Sequence, residues 1–93
     1  MRISPDFILR EVAGEAIVIP VGEAALHFSG LIALNESGQL LYRLLSEERT
    51  EEELVNAVLD TYQVDRPTAA ADVSEFLSLL RQHHMLTEEQ TYI

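Results

Sequence analysis

Apolar positions change their period about a third of the way along the chain. Phe7–Val12 (FILREV) is apolar and β-branched enough for a strand, and Ala13-Gly14-Glu15 behind it has the composition of a turn. Ala16–Val21 (AIVIPV) predicts a second strand, with Pro20 removing a ladder donor at its end. After Gly22-Glu23-Ala24 the segment Leu26–Leu34 alternates. Leu26, Phe28, Gly30, Ile32 and Leu34 share one face, and His27, Ser29, Leu31 and Ala33 the other. Three consecutive strands with short links predict an antiparallel meander.

From Asn35 onward the spacing is helical. Asn35 is a good N-cap, and Leu40, Leu41, Leu44 and Leu45 form an apolar stripe behind it. Gly38 in the first turn costs about 1 kcal/mol against Ala, which points to close packing there rather than to helix-forming strength. Thr50-Glu51-Glu52-Glu53 is a capping box, followed by Leu54, Val55, Val58, Leu59 and Tyr62 at buried spacing. A further helix starts near Asp65–Thr68 with Pro67 in its first turn. Its apolar face is Val73, Phe76, Leu77 and Leu80, and it fades around His83–Leu86. The expected order is β-β-β-α-α-α, a small α+β domain with the outline of a winged helix-turn-helix. One domain spans residues 1–93, and 88–93 are expected to fray.

Composition narrows the function. The chain has 16 acids against 6 bases, a formal net charge of −10, with no Cys and no Trp. All six bases are Arg. The absence of Cys excludes disulfides, thiolate metal sites and a Cys nucleophile, and the absence of Lys excludes Schiff-base chemistry. The charge is uneven. Residues 1–46 hold three Arg and five acids, whereas residues 47–93 hold three Arg and eleven acids. Such a chain is poorly matched to nucleic acid or to an anionic membrane. A third helix that carries Arg66 and Arg81 against Asp65, Asp72 and Glu75 does not suit a duplex reader. No stretch approaches a membrane span or a signal peptide, so a cytoplasmic setting is expected.

Chemistry is hard to find. His83 and His84 are adjacent, so on a helix they diverge by about 100° and cannot share one metal facially. They suit a helix C-terminus instead. His27 has no partner suggested by spacing. No phosphate-loop, dinucleotide or nucleophile-elbow motif occurs. The expectation is a protein that is not an enzyme and holds no cofactor or metal. What remains is the strand Leu26–Leu34, which ends the meander and carries no charge besides any on His27. Open edges are normally blunted by charge or Pro. An unblunted edge suits either β-augmentation by a peptide or self-pairing in a homodimer.

Longer motifs now matter. Ala33-Leu34-Asn35-Glu36-Ser37-Gly38 with Leu40-Leu41-Tyr42-Arg43-Leu44-Leu45 resembles the "LN-E-x-G-x-x-(I/L)-(W/Y)-x-L-L" segment of the PqqD-like family. Arg49-Thr50-Glu51-Glu52-Glu53-Leu54-Val55 is similar to its "R-T-x-E-E-(L/I)-V" helix start, and Tyr62-Gln63-Val64-Asp65 to its "Y-x-V-D" link. Ala71-Asp72-Val73 with Phe76-Leu77 and Leu80 resembles its last helix. Two places differ from the pattern. His83-His84-Met85-Leu86 stands where family members commonly have Gly and an apolar pair, and Ser29-Gly30-Leu31 stands where many have an aromatic-rich approach.

The resemblance implies a recognition protein for ribosomally made, post-translationally modified peptides. It holds the leader of a precursor peptide and presents the core to a modifying enzyme, often a radical S-adenosylmethionine protein or a protease. In the family the leader adds as a strand to the third β-strand and lies against the third helix. Carried onto this chain, the peptide-binding residues are Leu26, His27, Phe28, Ser29, Gly30, Leu31 and Ile32 on the strand. Val73, Leu77, Leu80 and Arg81 form the helix wall, with Arg81 meeting an acidic leader side chain. The alternative is a small dimerisation or regulatory module whose edge strand pairs with itself.

Overall fold

A computed structural model of the chain describes residues 1–27 and 32–87. The elements are β1 (Arg2–Ile3), β2 (Phe7–Val12), β3 (Glu15–Pro20), α1 (Ala24–His27), β4 (Ile32–Leu34), α2 (Glu36–Leu44), α3 (Glu51–Thr61), α4 (Arg66–Gln82) and β5 (Leu86–Thr87). The main sheet is antiparallel in the order β2-β3-β4, and β1 pairs with β5 in a separate two-stranded ladder.

The expected first hairpin forms. Val12 faces Glu15 across the two-residue turn Ala13-Gly14. Both turn residues have positive φ, 53° and 83°, as a type I′ turn requires to match the twist of its strands. Pairing then runs Phe7↔Pro20, Leu9↔Val18 and Glu11↔Ala16, so Phe7, Leu9, Ala16 and Val18 share the inner face. Ile32 and Leu34 on β4 lie opposite Val18 and Ala16 and extend that face. The helices cover it. Leu41, Leu45, Leu54, Val58, Val73, Leu77 and Leu80 are buried in the same cluster as Ala16, Val18 and Leu34.

The expected long third strand does not form as one unit. Leu26 and His27 belong to α1, a helical turn closed by Ala25 N–H to Gly22 O and Leu26 N–H to Glu23 O. Gly22, with φ 59°, redirects the chain after β3, and the Glu23-Ala24-Ala25-Leu26 run behind it consists of good helix formers. Phe28, Ser29, Gly30 and Leu31 lie outside the described residues. The observed strand is Ile32–Leu34, pairing Ile32↔Val18, Ile17↔Ala33 and Ala16↔Leu34. The β1–β5 ladder was not anticipated. Two-residue strands carry no periodicity, and this one is set by distant partners. Ile3 N–H donates to Leu45 O and Ser4 N–H to Met85 O, tying the start of the chain to the ends of α2 and α4.

α2 and α3 are capped by the residues expected to cap them, and α4 by Asp65, within the expected start of that helix. Asn35 Oδ1 accepts from Gly38 N–H at 2.8 Å. Gly38 is a close approach: a Cβ there would stand 3.1 Å from Asn35 Oδ1, 3.4 Å from Phe76 and 3.5 Å from Leu34. Thr50 and Glu53 exchange both bonds of the capping box, at 3.1 and 2.8 Å. Asp65 accepts from Thr68 N–H at 2.9 Å. At its other end α4 closes in a Schellman motif. Met85 N–H reaches back to Leu80 O at 2.8 Å, and His84 N–H reaches Arg81 O at 3.1 Å. His84 sits in the left-handed region with φ 57°. The helix end therefore keeps the geometry of a glycine cap, with a histidine in the glycine's place.

Two predictions follow from these caps. A side chain in the left-handed region carries a steric cost that Gly avoids, so His84→Gly should stabilise the fold by about 0.5–1 kcal/mol in urea unfolding. Hydrogen bonds from Thr50, first from its backbone N–H, hold the Glu53 carboxyl below the ordinary glutamate range, and those from Thr68, first from its side chain and then from its backbone N–H, hold Asp65 below the ordinary aspartate range. A depressed folded pKa contributes stability above the unfolded value and loses it as pH falls through the folded one. Glu53→Gln with Asp65→Asn should therefore flatten the fall in Tm between roughly pH 5 and 3, measured by circular dichroism.

Candidate functional site

β4 is an outer strand of the sheet, with β3 on one side and no described strand on the other. Its residues alternate as a strand must: Leu34 is buried, Ile32 half-buried, and Ala33 between them exposed. A depression of about 630 Å³ opens between this strand and α4. Ala33 and Leu34 bound one side, Gly38 and Leu41 lie at the base, and α4 supplies Phe76 and Leu79 with Asp72, Glu75 and Gln82 around them. Gly38 keeps the base low. Its missing side chain lets the Phe76 ring and the Asn35 cap approach the start of α2.

The face of α4 that lines this space follows from helical arithmetic. Ala69, Val73, Leu77 and Leu80 form the stripe that enters the core, each 0% exposed. At about 100° per residue, Asp72, Glu75, Phe76 and Leu79 fall on the adjoining shoulder. Phe76 and Leu79 are half-buried, and the two carboxylates are exposed. Apolar surface that is reachable and not consumed by the core is what a docking groove needs.

The residues expected to form the helix wall sit elsewhere on α4. Val73, Leu77 and Leu80 hold α4 in place from behind and present nothing to the groove. Arg81 lies about 200° around the helix from Leu79. Its Nη2 stands 3.9 Å from Met1 Sδ, on the far side of α4. Leu26 is 78% exposed on α1 and not on the strand, and His27 ends that turn. Of the expected strand residues, Ile32 keeps its place on the edge, and Phe28–Leu31 lie outside the described residues. The residues that sequence reading passed over are Ala33, Asp72, Glu75, Leu79 and Gln82. The available signal was their spacing: i, i+3, i+7 and i+10 along α4 from Asp72, one step around from the apolar stripe.

Among the described residues no three His, Asp or Glu side chains converge as a metal-binding group, and no helix is long and apolar enough to cross a membrane. His83 and His84 do not face the β4–α4 depression. They border a second one, of about 530 Å³, with Asp6, Phe7 and Glu23.

The family described as coenzyme PQQ synthesis protein D (PqqD) matches residues 15–86. A solved structure described as "TbiB1 in Complex with the TbiA(beta) Leader Peptide" is similar over 98% of this chain and 100% of that one, with 26% identity and a TM-score of 0.76. Another, "Lasso peptide synthetase B1 complexed with the leader peptide", shares the fold at 16% identity and a TM-score of 0.73, covering 94% of this chain and 96% of its own. No curated protein matches the chain.

Core and groove faces of α4 predict different mutational responses. Leu77→Ala, at a fully buried site, should cost about 2–5 kcal/mol in chemical unfolding. Leu79→Ala, on the groove shoulder, should stay within about 1 kcal/mol of the parent.

Proposed function

The chain belongs to the PqqD family, and we propose that it is a non-catalytic binding protein for the leader of a ribosomally made precursor peptide. The observation that carries this reading is the outer edge of β4 standing beside an apolar-based groove on α4. An extended peptide laid along Ile32–Leu34 completes the sheet through main-chain hydrogen bonds, which are indifferent to peptide sequence. Alternate side chains of that peptide then turn towards Phe76 and Leu79 and supply selectivity. The leader complex of the 26%-identical TbiB1, which covers the whole of that chain, supports the reading.

Holding the leader leaves the rest of the precursor outside. The chain's role is then to deliver that core to a modifying enzyme, such as a radical S-adenosylmethionine protein or a protease, in the cytoplasm. A disordered leader loses conformational entropy on ordering, so affinity is moderate and release remains accessible. The open edge could instead serve self-pairing. Self-pairing along Ile32–Leu34 would leave the adjoining groove without an occupant.

The test is titration of isotopically labelled protein with the synthetic leader of the precursor encoded beside its gene. The Ile32–Leu34 amides should shift and gain exchange protection, together with Leu79 methyl signals. Leu79→Ala should weaken binding roughly fivefold or more with the fold retained. A leader that binds without perturbing Ile32–Leu34 refutes strand addition. A stable dimer by light scattering that takes up no leader replaces this function with self-association.

A further inference from the structure

The β4–α4 groove is continuous with two neighbouring depressions. It shares Asn35, Ser37 and Asp72 with one beside α3, and Gln82 with the one under α1. Charged side chains line all three, and they are of one sign. Asp72 and Glu75 border the groove itself. Glu36 adds to the α3 end, and Asp6 and Glu23 to the α1 end. The six bases of the chain are Arg2, Arg10, Arg43, Arg49, Arg66 and Arg81, and none of them lines any of these depressions. Among the described lining residues the potentially cationic groups are His83 and His84, confined to the α1 end.

Net charge alone does not explain this placement. The segments that supply the groove also carry Arg43 on α2 and Arg66 and Arg81 on α4. Both helices thus hold arginines, and none of these is among the lining residues. Asp72 and Glu75 lie one helical turn apart, about 5 Å along the axis, with Phe76 and Leu79 beside them. Side chains on one face of an extended peptide repeat every 6–7 Å or so. Such a peptide can place apolar side chains on Phe76 and Leu79 and a cationic side chain within reach of the two carboxylates.

We infer that, given the leader-binding reading above, this groove selects a leader segment of basic character, with Lys or Arg alternating with apolar residues and set over Asp72 and Glu75. This reverses the polarity expected from sequence, in which Arg81 met an acidic leader residue. The carboxylates are solvent-exposed, so each contact is modest and screened by salt. Their effect is selection among leaders and faster encounter more than raw affinity.

The probe is the synthetic leader of the precursor encoded beside this chain's gene, followed by fluorescence anisotropy at roughly 50 and 500 mM salt. Asp72→Asn with Glu75→Gln should raise Kd about three- to tenfold at low salt and much less at high salt. Glu51→Gln with Glu52→Gln makes the same change in net charge at the start of α3, outside the linings of all three depressions, and should move Kd less than about twofold. A leader with its Lys and Arg replaced by Gln should bind the parent more weakly and no longer respond to the Asp72/Glu75 changes. If the parent binds leader while the Asp72→Asn, Glu75→Gln variant binds equally well or better, basic selection is wrong and leader binding stands. If the protected leader segment lacks Lys and Arg, the outcome is the same. If the parent binds no leader at either salt concentration, both readings fall.

Discussion

The arrangement depends on how α4 is seated. Its stripe Ala69–Val73–Leu77–Leu80 is fully buried, and burying such side chains contributes roughly 1.5–3 kcal/mol apiece for the larger ones. That stripe fixes the rotation of the helix about its own axis. Asp65 at one end and the Schellman closure through His84 at the other fix its extent. Once rotation and extent are set, the face turned towards β4 has no freedom left. Asp72, Glu75, Phe76 and Leu79 form the groove wall because they sit one shoulder away from the core stripe.

The sheet supplies the opposite wall under a similar constraint. β3 is the central strand, and its buried Ala16 and Val18 demand partners on the same face from both neighbours. Leu34 and Ile32 answer that demand, which pins the register of β4 and leaves its far edge directed outward. Asn35 follows immediately and caps α2, so strand and helix meet in one sharp corner. Gly38 lets Phe76 of α4 come close to that corner. The groove is the space left where three elements meet, each held by interactions outside it.

Local signals in the chain were legible for a physical reason. Asn35, Thr50 and Asp65 act on backbone groups three residues away, so their roles can be read from a few neighbouring letters. The β2–β3 hairpin is likewise written in its own strands and in Ala13-Gly14. What could not be read depends on distant partners. Leu26 and His27 fit an alternating strand as well as a helical turn, and Gly22 with Ala24 and Ala25 tipped the balance to the turn. The β1–β5 ladder exists because Leu45 and Met85 offer carbonyls to Ile3 and Ser4. The shoulder of α4 was hard to read for a related reason. Apolar letters at helical spacing mark what the core consumes, so Val73, Leu77 and Leu80 were spent on stability. A binding face must stay reachable, and it lies beside that stripe.

The acid load acquires a location from the same geometry. Most of the acids serve as a solubilising coat, since no charged side chain is buried among the described residues. The coat is not uniform where the peptide would run. Arg43, Arg66 and Arg81 occur on the helices that build the groove and its surroundings, yet each lies outside its lining. Backbone pairing along β4 cannot distinguish one extended peptide from another, because every peptide offers the same N–H and C=O groups. Discrimination has to come from side chains, and those lining the groove are a few apolar contacts within a polar border whose charged members, Asp72 and Glu75, are both acidic. Main-chain bonds along the edge are common to every extended peptide, which makes that border the part of the surface able to tell partners apart.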